Sequence, residues 1–216
     1  MSLSFAKRRA ILAYEATHKI IAPGLIELRN CRTWPARKRC CYRWACRAFE
    51  VGHARAENMS LTFKLGFWDE FKTAKEYIAA TVSQMVDTAQ KYAKHAGSVA
   101  AANVETVLRT VSHTFYSAGQ WIANDSNPDV LAYRYQTVGD DRVRHNHAII
   151  DGVTLSKENG FWVYAFPPNG YNCRCIVVPI YGPYKRVDPP DGWQPDEGFG
   201  DNDGKQILGK MIDGEF

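Results

Sequence analysis

Apolar positions recur with a helical period over most of the first 125 residues, and the period changes after that. Across 4–21, Phe5, Ile11, Leu12, Tyr14, Ile20 and Ile21 recur among charges, predicting a helix that Pro23 and Gly24 break. Residues 25–39 read as irregular, with Pro35 as punctuation. From about Ala36 to Asn58, Tyr42, Ala45, Phe49 and Gly52 return at a spacing of three to four, with arginines on the other sides. The clearest stripe lies in 67–96, where Phe71, Ala74, Ile78, Val82, Met85, Ala89, Tyr92 and Ala96 share a face. Gly97 ends that helix and Ser98 caps the next, over 99–123, with Val104, Val107, Leu108, Val111, Phe115, Ala118 and Ile122 inward. The two form an antiparallel hairpin of helices, each roughly 35–45 Å long at about 1.5 Å per residue. Their stripes need cover, from the N-terminal helices in part and from a neighbouring subunit or protein for the rest.

Beyond the boundary at Asn124–Asp129 the pattern alternates. Leu131, Tyr133, Tyr135 and Thr137 predict one face of a strand, and CRCIVVPI predicts another, closed by Pro179. The segment from Tyr181 onward is rich in Pro, Gly and Asp and reads as an extended arm, with Trp193 and Phe199 as anchors for another surface. Its last residues read as one short helical turn. The fold class is therefore α+β: an N-terminal helical region with the long hairpin, a small C-terminal α/β domain with few strands, and the arm. The units are 1–60 (basic, helical), 61–125 (hairpin), 126–180 (small domain) and 181–216 (arm).

Composition adds a charge asymmetry. The net charge is +4, yet residues 1–56 carry twelve basic against three acidic residues, or +9, leaving −5 for the remainder. Arg8, Arg9, Arg37, Lys38, Arg39, Arg43 and Arg47 are the candidates for contact with a polyanion or an acidic partner. No apolar run approaches the ~18 residues that would cross a bilayer, and no membrane partner is expected. The N-terminus does not read as a signal peptide. Six cysteines are too sparse for a disulfide scaffold, which points to a reducing cytoplasm. Cys31, Cys40, Cys41 and Cys46 fit no zinc spacing and read as small packing residues.

The candidate chemistry lies in Asp140–Cys175. Residues two apart on a strand share a face, so Cys173 and Cys175 point the same way with Arg174 opposite, and a disulfide between them would be strained. His147 and Asp151, four apart, share a face if the segment is a helical turn. His147, Asp151, Cys173 and Cys175 are thus a possible tetrahedral set whose donors favour a structural zinc. A metal-free hydrogen-bonded cluster and a catalytic pocket are the other readings. His145 is expected outside. Gly152 suits a positive φ, Pro167–Gly170 a stiff turn, and Phe161 and Trp162 the closing of a small core.

DDRVRHNHAIIDG, the pair Phe161–Trp162, and PPNGYNCRC together resemble the C-terminal signature of the phage Mu F-like minor head proteins, also called phage head morphogenesis proteins. The pattern is carried by Asp140 or Asp141, Arg144, His147, Asp151, Gly152, Phe161, Trp162, Pro167, Pro168, Asn172, Cys173, Arg174 and Cys175. DEGFGDNDG, residues 196–204, is similar to the family's trailing segment. The resemblance implies a structural virion protein and not an enzyme. It would be made in the host cytoplasm and sit inside the head near the portal vertex, in several copies on a ring. It would aid head assembly, DNA packaging or ejection. Implied partners are the portal protein, the major capsid protein and viral DNA bound without sequence preference. A metal-dependent hydrolase using the His147/Asp151/Cys173/Cys175 cluster is the alternative, although no phosphate loop, nucleophile elbow or HExxH supports it.

Overall fold

A computed structural model describes residues 19–57, 67–96 and 99–213. Arg8, Arg9, most of the first expected helix and the Gly97–Ser98 turn lie outside those residues. The elements are α1 (19–30), α2 (Trp34–Glu57), α3 (Phe67–Ala96), α4 (Val99–Asp125), β1 (Ala132–Gln136), α5 (His145–Ala148), β2 (Thr154–Ser156), α6 (Phe161–Ala165), β3 (Ile176–Ile180) and α7 (Asp203–Asp213).

Two expectations at the N-terminal end need correction. Pro23 and Gly24 do not break a helix; they lie within α1. A proline removes only its own N–H bond and crowds the carbonyl four residues earlier, so the chain after it can still coil. Gly24 serves packing, because a Cβ there would sit 2.8 Å from the Trp44 ring of α2. The irregular stretch shrinks to three residues, 31–33. Thr33 caps α2, its hydroxyl accepting from Ala36 N at 3.3 Å and its carbonyl from Arg37 N at 3.0 Å. Pro35 then occupies the first turn, where a missing N–H costs nothing.

The helical layer is held by α2, which lies against both α3 and α4, most extensively α4. Cys40, Cys41, Ala45 and Phe49 meet Ile78, Val82, Leu108, Val111 and Phe115, all buried in one continuous core. At the α2–α4 crossing the backbones touch. A Cβ on Gly119 would lie 2.5 Å from Phe49 O, and one on Gly52 would run into the Tyr116 carbonyl. The apolar stripes of the expected hairpin are thus covered largely from within the chain, by α2 on one side and α7 on another.

The sheet has the order β2-β1-β3, antiparallel throughout. As the central strand, β1 is covered on both faces, with Ala132, Tyr133, Tyr135 and Gln136 all buried. Trp162 is fully buried and meets Tyr133 edge-on at 5.7 Å, and Trp121 of α4 meets Phe166 edge-on at 5.0 Å. These aromatics join the helical layer to the sheet. Pro179 sits inside β3 rather than beyond its end, tolerated because β3 is an edge strand.

The expected arm folds back on the molecule. Val187 bridges Thr154 on the outer edge of β2, with N–H···O bonds of 2.9 and 3.0 Å. Trp193 is buried against Phe161 (5.6 Å between ring centroids) and Tyr164 (6.3 Å), and its indole N–H donates to Asn146 O at 2.6 Å. Asn202 caps α7, accepting from Lys205 N at 3.1 Å, while its amide donates to Trp162 O at 3.0 Å. The expected single turn is the 11-residue α7. It packs on α4 so closely that a Cβ on Gly204 would meet Trp121 Cβ at 2.6 Å. The proline-rich composition correctly excludes a long helix. It does not reveal that Trp193 finds its socket on the same chain.

Candidate functional site

Three short pieces converge below α4. The first is α5, entered through a turn in which Asp140 is gripped by both Arg174 guanidinium nitrogens at 2.5 and 2.6 Å. That contact, with Arg142 nearby, holds the Asp140 carboxyl well below the usual carboxylate range. The single helical turn sends His147 inward and leaves His145 exposed. It stops at Ala148, and Gly152 turns the chain at φ 88°. The helical repeat that would have aligned His147 with Asp151 is therefore broken. Asp151 turns instead to the end of β1, where one carboxylate oxygen accepts from Gln136 Nε2 and Thr137 N, both at 2.8 Å. Asp151 closes a loop, and its expected place as a fourth ligand is corrected.

The second piece is the Pro167–Gly170 turn. Asn169 fastens it, its amide donating to Tyr135 Oη and Ala165 O at 3.0 Å each. Its carbonyl faces His147 Nε2 at 3.2 Å, and Asp196 of the returning tail lies 3.9 Å from the same nitrogen. A carbonyl only accepts, so Nε2 carries the proton and the Nδ1 lone pair faces the other way. The third piece runs from Asn172, at φ 55°, into β3. It presents Cys173 and Cys175 inward and Arg174 outward, as alternation demands. Both sulfurs lie 3.6 Å from His147 Nδ1. His113 of α4 is buried and donates from Nε2 to Cys175 O at 2.8 Å.

His147, Cys173 and Cys175 are all buried, and their donor atoms lie within 4.8 Å of one another. Burial opposes ionisation of Cys173. The hydrogen bond from Cys175 and the nearby imidazoles of His147 and His113 outweigh it, so this thiol falls well below its ordinary value. Cys175 rises well above its own, through its bond to Cys173 and through burial. Burial lowers His147, but Cys173 and Asp196 more than compensate, and its net shift is upward. The cluster is built to carry negative charge on sulfur beside an imidazole.

Sequence reasoning finds these three residues but not their frame. Tyr135, Asn169, Asp196 and His113 come from four separate stretches, and no local spacing signals them. The hydrolase alternative loses a base, because Asp151 is committed to Gln136 and Thr137.

The basic residues are less available than their spacing suggests. Lys38 Nζ lies 2.9 Å from Asp87 Oδ2, Arg47 lies 3.1 Å from Glu50, and Arg43 pairs with Glu27. Arg37 lies over the Trp34 ring at 4.9 Å and donates to Cys31 O at 3.2 Å. Arg39 is exposed. The balancing carboxylates of Lys38 and Arg43 come from α3 and α1, so they stitch helices together instead of forming a detached positive stripe. Cys40, Cys41 and Cys46 are buried free thiols, with burial pushing Cys41 up to about 12, as packing residues should be.

Comparison with known proteins places this arrangement. The family model described as Phage Mu protein F like protein matches residues 75–178, from α3 through β3 and across the whole His–Cys cluster. The chain is 29% identical over 115 residues to the "Putative capsid assembly protein F" of Escherichia phage Mu, covering 53% of this chain and 23% of that protein. It is 35% identical over 75 residues to the "Mu-like prophage FluMu F protein" of Haemophilus influenzae, covering 34% of this chain and 18% of that one. The chain thus spans about a fifth of the length of these curated relatives. No solved structure gives a significant match. Residues 75–178 of the chain are thus similar to the Phage Mu protein F like family.

Proposed function

We propose that this protein is a structural component of a phage head, acting in head morphogenesis. The observation that carries the reading is the family match over residues 75–178, together with a relative whose name describes capsid assembly. Those residues form the α3–α4 pair and the sheet fastened to it, a stiff unit suited to stacking against other head components. No helix among the described residues is long and apolar enough to cross a membrane.

The finer reading is that copies sit inside the head around the portal vertex, touching the portal protein and the adjoining major capsid protein. DNA contact belongs to the same reading. With Lys38, Arg43 and Arg47 paired to carboxylates, it falls mainly to Arg8, Arg9 and Arg39. Such contact would be independent of sequence and would weaken as salt rises. The test is a purified particle from a phage or induced prophage that encodes this chain. Mass spectrometry of intact heads finds the protein, and cross-linking joins it to the portal. Its absence from heads and their precursors would refute the reading, and its presence without portal cross-links would refute the location.

A further inference from the structure

We propose that His147, Cys173 and Cys175 hold one zinc ion, that Asp151 is not a ligand, and that a water molecule completes the tetrahedron. The geometry carries this. Zinc binds sulfur at about 2.3 Å and imidazole nitrogen at about 2.05 Å, so two such donors at the tetrahedral angle stand roughly 3.6 Å apart. The Nδ1–Sγ separation is 3.6 Å for Cys173 and 3.6 Å for Cys175. All three donor atoms face one another in a buried space, and no fourth protein donor joins them among the described residues.

The surroundings are those a ligand set needs. Asn169 O accepts from Nε2, with the Asp196 carboxylate behind, so the free lone pair of the ring points at the sulfurs. A carbonyl or carboxylate on the far nitrogen is what orients metal-bound histidines and strengthens their donation. Cys175 N donates to Cys173 Sγ at 3.5 Å, which stabilises sulfur as thiolate. Binding zinc releases both thiol protons and replaces them with two Zn–S bonds. The ion would tie together α5, the approach to β3 and, through Asp196, the returning tail. These segments lie far apart in the chain and already meet through the Asp140–Arg174 pair, the Asn146–Asp196 bond and the Trp193–Asn146 bond, so the ion would brace a junction that is in place.

The test uses the full chain, purified from zinc-supplemented medium. Elemental analysis should give about one zinc per chain. X-ray absorption should show two sulfur and two nitrogen or oxygen neighbours, and cobalt exchanged into the site should give the visible bands of a tetrahedral, thiolate-bound ion. Asp151→Asn should keep the metal, and Cys175→Ser should lower occupancy at least about tenfold. Chelation should lower the melting temperature by on the order of 10 °C. Should Cys175→Ser fail to fold, the wild-type absorption and cobalt spectra still decide the matter. A soluble, folded wild-type chain with no bound zinc and with a melting point indifferent to chelator overturns the proposal. So does a zinc site that Asp151→Asn abolishes in a folded protein.

Discussion

Replacing Gly119 with alanine probes the contact on which the helical layer rests. An alanine Cβ there would stand 2.5 Å from Phe49 O and 2.8 Å from His53 N, against an ordinary contact of 3.4 Å or more. Both obstacles are backbone atoms of α2, which no rotamer change can move. The helices must therefore part by about 0.9 Å at the crossing. A gap of roughly 0.5–1 Å forfeits a quarter to a half of the dispersion energy of each affected pair, and a large buried side chain makes ~40–60 such contacts at ~0.1–0.2 kcal/mol each. With Phe49, Ala45 and Ala118 affected, the loss is on the order of 2–4 kcal/mol. Alanine's better helix propensity returns ~1 kcal/mol. The net expectation is a loss of about 1–3 kcal/mol, or roughly 2–12 °C at 2–4 °C per kcal/mol for a chain of this size. Thermal melts followed by far-ultraviolet circular dichroism measure it. Gly209→Ala is the control, because a Cβ on this α7 glycine meets nothing within 4 Å and should leave stability equal or up to ~1 kcal/mol higher. Equal behaviour of the two variants would mean that the backbones do not touch at this crossing.

Three further outcomes are expected. Trp193→Ala removes the ring packed on Phe161 and Tyr164 and the bond to Asn146 O, which should cost about 3–5 kcal/mol and expose residues 181–202 to limited proteolysis; wild-type resistance to protease would contradict it. Asp203 has its carboxyl raised to about 6, chiefly by burial and despite the hydroxyl of Tyr77. Because the folded state then keeps a proton that the unfolded state has lost, stability should fall as pH rises from about 4 to about 6, by roughly 1–3 kcal/mol, and denaturant titrations of Asp203→Asn should lack that slope. Asp151→Ala should cost about 1–3 kcal/mol in urea melts through the orphaned Thr137 N–H and a Gln136 amide left with only Thr137 O, and an unchanged midpoint would show that water replaces the carboxylate.

The three long helices α2, α3 and α4 are legible because their apolar stripes recur over many turns. The early boundaries are not legible, because Pro23, Gly24 and Pro35 read as punctuation. Pro35 is harmless in a first turn, and Gly24 answers to Trp44 in another helix. Tyr133 and Tyr135 announced β1 by alternation. The site was legible as to His147, Cys173 and Cys175 because two thiols one residue apart, near a histidine, have few other uses. It was misread at Asp151 because spacing of four assumes a helix that continues, and α5 stops after one turn. Nothing in 181–202 revealed where it docks, since Trp193 and Asp196 meet partners far away in the chain.

The sheet's two rims bear on how the protein avoids sticking to other chains. One rim is already occupied, since Val187 pairs with Thr154 along β2. The other carries Pro179, which has no N–H to offer an incoming strand. Exposed strand edges could otherwise pair with those of other molecules. With both rims blunted, any molecule that meets this sheet must do so through side-chain surfaces, where shape and charge can be selective.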